Sequence, residues 1–483
     1  MKRNPAARCS SPTGRRSDTE SGNMKNAIRS GLLHLATCRL LYPLQIVILS
    51  IALLLLVGSS AAGPISLNLK VTRHQLKNGL EILAMEDHTL PIVSYYTFFK
   101  VGSRNEQIGK TGLSHLIEHM MFNGARRYGP KAFDQALESN GGNSNAFTTE
   151  DMTAYYEDFP GNRLELVIDM ESDRMAHLAL TQESLASERE VVKEERRAGV
   201  DNTVYGHVME VLASLSFTAH PYRWPVVGWM ADLDAITIDD CWRHFRAHYA
   251  PNNAVIVVVG DFQTEKVVDL IRRYYESIQP ASPAQASFTS EPVQYGERRA
   301  TLYKFAELPA LAIGYRAAST NTDDLFALDV LQMILAHGES SRLYRRLVYT
   351  EQRVINVSAS FPWMIAPGLF TLYATMKPDE DHARIEGVIY EELDRLKTEP
   401  VSDHELRKAK NVLQASLVRD METNNGKAEK IGTCALLFGD WSILTTMLDR
   451  YESITADDIL RMARTYFAER TRNVVLMKPE APR

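Results

Sequence analysis

Two hydrophobic periods alternate along residues 64–483 and predict a chain of strands and helices. Ala254–Val259 is a continuous apolar run, rich in valine and followed by Gly-Asp, which is typical of a buried strand. Gln263–Ile278 then returns to helical spacing. The Asn-Gly pair at positions 78 and 79 stands between alternating apolar residues, which predicts a β-hairpin over Leu76–Ile82.

One stretch without a clear period divides this region. Gln279–Arg299 is rich in Pro, Ser, Ala and Gln, the composition of a loop or linker. We therefore predict a first domain over residues 64–280, a linker over 281–300 and a second domain over 301–483.

Two segments that lie 218 residues apart repeat the same pattern. Ile236–Asp240 and Ile454–Asp458 are each followed by two arginines, an aromatic residue before alanine, and an apolar strand. In both segments Thr precedes Asp by three residues, which resembles a capping box at a helix start. The repetition predicts a tandem duplication. We expect an α+β fold of two homologous halves, each a mainly antiparallel sheet with helices packed on it.

The N-terminal extension, residues 1–63, has a different character. It holds eight basic residues against two acidic ones, followed by the apolar run Ile46–Val57 and then by small residues. This is the order of a secretory signal, so we expect the chain to be exported. The alternative is an uncleaved membrane anchor over Leu40–Ala62, because a spanning helix needs about 20 residues. Met24 is an alternative start of translation.

Composition narrows the class of protein. The 483-residue chain is 45% hydrophobic and 24% charged, which excludes a disordered or polytopic membrane protein. Its net charge of −6 argues against a nucleic-acid partner. Beyond the extension only Cys241 and Cys434 remain, and we predict two buried free thiols, with a single disulfide as the alternative.

The strongest chemical signal is an H-x-x-E-H motif at residues 115–119. Its surroundings predict a helix, on which His115 and His119 lie one turn apart on the same face with Glu118 beside them. Two neutral imidazoles in this arrangement can bind one zinc ion, and the carboxylate can activate the bound water. The alternative is a pair of core histidines with a glutamate in a salt bridge.

A catalytic zinc needs a third protein ligand. Glu188, Val191, Val192 and Glu195 form an i, i+3, i+4, i+7 stripe on a predicted helix, and we expect this stripe to face inward. Either Glu195 or Glu188 is then the ligand, and the other is a carboxylate that orients a histidine. The periodicity does not choose between the two. The alternative is an acidic helix that faces solvent.

These residues carry a resemblance to a known family. H-x-x-E-H followed after 75 intervening residues by Glu195, in an E-R-x-V-V-x-E-E context, resembles the M16 zinc peptidases, which include pitrilysin, insulinase and the mitochondrial processing peptidase. The match extends over nearly all of residues 64–483, and the length is similar to that of the short bacterial and processing-peptidase branch. The resemblance assigns His115, His119 and Glu195 to one zinc ion, Glu118 to the general base and Glu188 to the supporting carboxylate.

The resemblance also implies a reaction and a substrate site. The reaction is peptide-bond hydrolysis, in which zinc polarises the carbonyl and Glu118 moves a proton from water to the leaving amine. The substrates are peptides or unfolded protein segments. An edge strand pairs with them, and it is formed by Asn145, Ala146, Phe147 and Thr148. For a bacterial member, export predicts the periplasm.

The second half lacks the motif. Aligning the two halves places Val330, Met333 and Ile334 where His115, Glu118 and His119 stand in the first half. We expect the second half to be a structural wall of the chamber that holds the substrate.

A second departure concerns partners. Members of the family that are active alone supply an Arg, and a Tyr seven residues later, from the second half, whereas Val348 and Ile355 stand at those positions here. Tyr349 and Arg353 are near but out of register. We therefore predict a zinc-bearing subunit that pairs with a related chain carrying the Arg and Tyr, with a homodimer as the alternative. The rival hypothesis for function is a non-catalytic scaffold subunit.

One further histidine pair shares the helical spacing. His244 and His248 are four residues apart, but no carboxylate joins them on that face. We predict surface histidines there and no metal.

Overall fold

The computed structural model describes residues 67–282 and 288–480 of the chain. The predicted signal or anchor segment, residues 1–63, lies outside the described residues, as does part of the predicted linker. Within the described ranges, no helix is both long and apolar enough to cross a membrane.

The first half builds one sheet and the helices around it. Its strands are β1 (Thr72–Gln75), β2 (Glu81–Glu86), β3 (Ile92–Phe99), β4 (Asn143–Thr148), β5 (Thr153–Pro160) and β6 (Ala254–Gly260). Its helices are α1 (Leu113–Met120), α2 (Ala132–Glu138), α3 (Leu164–His177), α4 (Gln182–Arg196), α5 (Val204–Ser216), α6 (Met230–Ala235), α7 (Ile238–His248) and α8 (Thr264–Tyr275).

The second half repeats this plan with fewer elements. Its strands are β7 (Arg298–Phe305), β8 (Ala310–Arg316), β9 (Val354–Ser360), β10 (Leu369–Met376) and β11 (Arg472–Glu480). Its helices are α9 (Asp324–Ala336), α10 (His382–Thr398), α11 (Asp403–Asp420), α12 (Asn424–Leu437), α13 (Ile443–Ser453) and α14 (Ala456–Tyr466). Residues 298–300 of the predicted linker belong to β7.

The two sheets share one topology, which confirms the predicted fold class. The first has the order β1-β2-β6-β3-β5-β4 and the second has the order β7-β11-β8-β10-β9. In each sheet a single strand pair is parallel, β2 with β6 and β7 with β11, and the other pairs are antiparallel. Apart from β1, each strand of the first sheet has its counterpart at the same place in the second.

The repeated helix starts are confirmed as capping boxes. The side chain of Thr237 accepts from the backbone of Asp240 at the start of α7 and Thr455 accepts from Asp458 at the start of α14. In both, the Asp side chain accepts from the backbone N–H of the Thr in return. The equivalent local chemistry at equivalent places supports the duplication.

Each half lends a helix to the other. Val208 and Leu212 of α5 are fully buried against Ala312 and Val475 of the second sheet, although α5 precedes the predicted linker. In return, α12 packs on β3 and β6 of the first sheet. A Cβ at Gly432 of α12 would lie 2.0 Å from the Phe98 ring, so only glycine permits this close approach. The two halves are therefore interlocked.

The predicted local features are largely confirmed. The hairpin at Asn78-Gly79 joins β1 to β2, with Gly79 at φ 91°, and the valine-rich run is the buried strand β6. Cys241 and Cys434 are buried free thiols, and burial raises the pKa of each to about 12. The prediction of two surface histidines is wrong for His244, which is 7% exposed, because α7 turns that side chain towards α1.

Candidate metal centre and active site

The H-x-x-E-H motif lies on α1, as predicted, and a buried carboxylate holds the start of that helix. Gly112 precedes the helix at φ 86°, and a Cβ there would lie 2.6 Å from the Val227 carbonyl oxygen. Since glycine offers no capping side chain, Glu106 accepts hydrogen bonds from the backbone N–H groups of Gly112 (2.8 Å) and Ser114 (2.7 Å). Burial raises the pKa of Glu106 to about 8, against the lowering effect of these two donors.

The Glu106→Ala variant should unfold more easily than the wild-type chain. Leaving two buried N–H groups without an acceptor costs about 1–3 kcal/mol each in the free energy of unfolding. Glu106→Gln keeps one acceptor oxygen and should lose less. Urea denaturation monitored by circular dichroism measures this, with the exposed Glu194→Ala as control. Equal stability of Glu106→Ala and Glu194→Ala would contradict the anchoring role.

Three predicted ligands meet between α1 and α4. The Nε2 atoms of His115 and His119 lie 3.6 Å and 3.3 Å from one carboxylate oxygen of Glu195. The two imidazole rings are 4.8 Å apart and nearly perpendicular. The donor atoms of all three residues lie within 4.8 Å of one another, and no other such group occurs in the described ranges.

This donor set fits a zinc ion. In a tetrahedron with bonds of about 2.1 Å, ligand atoms lie roughly 3.4 Å apart, which is close to the two distances measured to Glu195. The buried Nδ1 atom of His115 has no hydrogen-bond partner within the described chain, so the polar contact of that ring is made at Nε2, towards the cluster. Two imidazoles and one carboxylate leave a fourth position for water or substrate.

Glu188 contacts His119 on the side of the ring opposite to Glu195. Its carboxylate lies 3.6 Å from Nδ1 of His119 and accepts a hydrogen bond of 2.9 Å from Nδ2 of Asn123. A carboxylate on the far nitrogen fixes the orientation of a metal-binding imidazole. Glu195 therefore faces the Nε2 atoms of both histidines, whereas Glu188 faces Nδ1 of His119.

The predicted inward stripe of α4 is wrong at two of its four positions, Val191 and Glu195. Val191 is 44% exposed, whereas Leu185, Val192 and Arg196 are the buried residues of this helix. Arg196 is held inward by the carbonyl of Gly228 and by Glu210. The buried face is therefore rotated away from Val191, and Glu195 stands at its margin with 48% of its side chain exposed.

The electrostatics of the cluster favour a bound cation. Burial lowers the pKa of His115 to about 4, so this imidazole is neutral at pH 7, as a metal ligand must be. Burial also lowers the pKa of His119, but the hydrogen bond to Glu188 and the charges of Glu195 and Glu118 outweigh it and raise the pKa overall. Three carboxylates around two imidazoles leave an excess of negative charge that a dication would offset.

Glu118 is held by the predicted edge strand. The hydroxyl of Thr148, the last residue of β4, donates to Oε2 of Glu118 at 2.5 Å. Burial raises the pKa of Glu118, and this hydrogen bond opposes the rise. No pattern in the sequence predicts this contact, because it joins residues 30 positions apart whose alignment depends on the packing of α1 against β4.

The four predicted substrate-binding residues lie on the outer strand of the first sheet. Asn145, Ala146, Phe147 and Thr148 pair with β5 on one side, and within the described chain no strand pairs with the other side of β4. Phe147 packs edge-on against Phe98, 6.5 Å between ring centres. The free backbone edge of β4 can therefore accept an extended peptide.

His244 supports α1 from behind. Its Nε2 lies 3.0 Å from the hydroxyl of Ser114, next to His115, and burial lowers its pKa to about 3. His244 therefore has a structural role. No sequence pattern predicts this role, because the contact joins residues 130 positions apart.

In the second half, apolar side chains occupy the positions equivalent to His115, Glu118 and His119. Val330 and Ile334 of α9 are buried and Met333 is half-buried, all within the large core of that half.

Comparison with known proteins decides the family. Residues 81–228 match the model of the insulinase family, peptidase family M16, and residues 235–413 match that of the peptidase M16 inactive domain. The chain belongs to the M16 peptidase family. Its membership agrees with the motif on α1 and with the duplicated fold.

Several known or named proteases are similar to this chain over most of its length. The zinc protease PqqE of Helicobacter pylori is 28% identical over 84% of this chain and 92% of its own length. An uncharacterized zinc protease of Streptomyces coelicolor is 28% identical over 83% of this chain and 88% of its own length. The crystal structure of a protease from Helicobacter pylori superposes with a TM-score of 0.82 at 28% identity, covering 85% of this chain and all of that one.

Proposed function

We propose that this chain is a zinc-dependent metalloendopeptidase that hydrolyses peptides or unfolded protein segments. The observation that carries the proposal is the convergence of two imidazole Nε2 atoms on one oxygen of Glu195. Glu118 stands beside them on the same helix. A zinc ion held by His115, His119 and Glu195 would polarise the scissile carbonyl and lower the pKa of a water molecule.

The remaining residues of the site supply proton transfer and orientation. Glu118 takes a proton from the attacking water and delivers it to the nitrogen of the leaving amine. Burial raises its pKa, which favours return of the proton after the carboxylate has accepted it. Glu188 holds the His119 ring, and β4 aligns the peptide through its backbone.

The Thr148→Val variant tests how β4 supports the base. Without the hydroxyl of residue 148, Glu118 loses an orienting hydrogen bond. The kcat for peptide hydrolysis should then fall roughly 10- to 150-fold, because a bond to a charged group contributes roughly 1.5–3 kcal/mol. The KM value should change little, since the backbone edge of β4 is intact. Thr148→Ser retains the hydroxyl and should recover most of the rate. Equal rates in the two variants would contradict the role of this bond.

We also propose that full activity needs a second M16-like chain. Val348 is half-buried in the core of the second half, and Ile355 lies on the edge strand β9. Arg353 is paired with Glu351 and Glu380, and Tyr349 is 77% exposed. These contacts leave the positions of the missing Arg and Tyr without an equivalent guanidinium and phenol.

The partner hypothesis predicts zinc binding without efficient catalysis. The chain purified alone should bind zinc but hydrolyse an unstructured peptide slowly, and coexpression with a related chain that carries L-R-x-x-x-x-L-x-Y should raise kcat/KM. Full activity of the isolated chain would contradict the need for a partner. If neither the chain alone nor the coexpressed pair binds zinc or hydrolyses the peptide, the scaffold function is favoured instead.

The place of action follows from the N-terminal extension. We propose export to the periplasm, directed by residues 1–63, with retention in the membrane if this segment is not removed.

A further inference from the structure

A cavity of about 260 Å³ opens where the two halves meet. One wall is formed by α5 and the chain that follows it, and the other by residues of the second half. The apolar lining includes Met209, Phe217 and Trp224 on one side and Met364 and Leu369 on the other. Helix α5 is thus apolar on two faces: Val208 and Leu212 are fully buried on the second sheet, whereas Met209 and Ala213 stay half-buried and face the cavity.

The polar groups of the wall already have partners elsewhere. The Tyr222 hydroxyl donates to Asp151 at 2.7 Å and accepts from the Ala366 N–H at 3.1 Å. The indole N–H of Trp224 donates to the Ser103 carbonyl at 3.0 Å. Both rings can therefore present carbon to the cavity.

The charge of one of the two carboxylates in the lining is already balanced within the wall. Glu210 is paired with Arg196 at 3.0 Å. Glu150 has no cation partner among the described residues, and burial raises its pKa. The cavity is consequently suited to an uncharged occupant.

The cavity begins close to the reaction centre. Glu150 lies two residues beyond Thr148, the residue bonded to Glu118, and two residues of chain span at most about 7 Å. On the other side Val200 follows the ligand Glu195 by five residues. Two residues of the lining, Glu150 and Val200, thus lie on direct continuations of the segments that carry the site.

The loop at the mouth of the cavity is fixed. The N–H groups of Ser103 and Arg104 donate to the carbonyls of Thr149 (3.1 Å) and Glu150 (3.0 Å). A Cβ at Gly102 would lie 2.3 Å from the Thr149 oxygen, so the loop packs directly on the backbone at Gly102. A cavity held in this way is formed before substrate binds, as is usual for ligand sites.

We propose that this cavity is a specificity pocket that takes a large apolar side chain, such as Leu, Met or Phe, from a peptide aligned along β4. The inference rests on the proposed peptidase function and adds the class of substrate to it. A basic side chain reaching Glu150 is the rival occupant, and it is an outcome of the test below.

Peptide binding to the full chain carrying Glu118→Gln tests the pocket without cleavage. The probes are fluorescein-labelled dodecapeptides of Gly, Ser and Thr with one central Leu, Phe, Ala or Arg, and fluorescence anisotropy gives Kd. The Leu peptide should bind about 10- to 100-fold more tightly than the Ala peptide, because a fully buried leucine side chain accounts for that range. Equal affinity of the Leu and Ala peptides overturns the proposal. Tightest binding of the Arg peptide, lost in Glu150→Gln, also overturns it.

Two variants locate the effect in the cavity. Ala213→Phe fills the cavity and should remove the preference for Leu, whereas Ala186→Phe, the same change at an exposed site on α4, should retain it. Met209→Ala enlarges the cavity and should shift the preference from Leu towards Phe. An unchanged Leu preference in both pocket variants overturns the proposal, and melting curves show that each variant is folded.

The pocket and the peptidase function can fail separately. Zinc content and peptide hydrolysis of the chain with Glu118 intact are measured in parallel. A Leu preference without zinc or hydrolysis would support the pocket and contradict the peptidase function. Hydrolysis without a Leu preference removes the pocket alone.

Discussion

Glu118→Gln will lower kcat for peptide hydrolysis by about 10²–10⁴-fold and leave the bound metal in place. Glutamine keeps the size of the side chain and an oxygen that Thr148 can donate to, but it cannot accept a proton from water. Glu118 is not one of the three residues whose donor atoms converge, so the zinc content should be unchanged. The measurement is the steady-state rate on an unstructured fluorogenic peptide, together with elemental analysis of the same sample.

The matched control for this change is Glu190→Gln. Glu190 lies on α4 with 63% of its side chain exposed and pairs with Lys193. Its rate should equal that of the wild-type chain. A Glu118→Gln enzyme as fast as this control would remove Glu118 from the mechanism, and loss of metal in Glu118→Gln would show that the carboxylate has a different task.

Glu195→Gln will release the metal and abolish hydrolysis with it. A neutral amide oxygen is a weaker ligand than a carboxylate, and the site would lose the one oxygen that lies near both imidazoles. Glu188→Gln should be milder, because loss of a carboxylate behind a histidine ligand typically reduces metal affinity about 10–100-fold. Zinc titration with a competing chelator measures both affinities.

Glu194→Gln provides the control on the neighbouring residue. Glu194 is 68% exposed and pairs with Arg197, so its replacement should leave zinc affinity unchanged. The predicted order of zinc affinity is wild type equal to Glu194→Gln, then Glu188→Gln, then Glu195→Gln. Weaker binding in Glu188→Gln than in Glu195→Gln would exchange the roles of the two carboxylates.

Much of the architecture could be predicted from the sequence because local chemistry repeats. Thr237 and Thr455 start equivalent helices with the same capping box, and the valine-rich run of β6 has its counterpart in β11. These features depend on residues within a few positions of one another. The H-x-x-E-H helix belongs to the same class, since i, i+4 spacing alone places two imidazoles on one face.

Contacts between distant segments could not be predicted. Glu106, Thr148 and His244 reach α1 from separate elements, and no periodic pattern marks them. Val191 was assigned to the buried face of α4 because it is apolar and correctly spaced. The helix instead buries Arg196, whose guanidinium finds Gly228 and Glu210. A buried cation with partners from other segments shifts the inward face, and hydrophobicity alone does not show it.

The exchange of helices between the halves could not be predicted either, because it too depends on contacts between distant segments. Helix α5 precedes the predicted linker, yet Leu212 packs on the second sheet, and the cavity with Met209 on its wall exists because of this exchange. A domain boundary predicted from composition divides the sequence at one place. A helix, however, packs wherever its apolar surface is buried, which can be on the other side of that boundary. The position of the specificity pocket therefore emerged only from the structure.

The most direct test of the central claim is an anomalous difference map from crystals of the zinc-loaded chain, recorded at the zinc absorption edge. We predict a single strong peak bonded at about 2.0–2.2 Å to Nε2 of His115, Nε2 of His119 and a carboxylate oxygen of Glu195. A map without a peak at this position, or with zinc bound only elsewhere in the chain, would contradict the assignment of this site as a metallopeptidase centre.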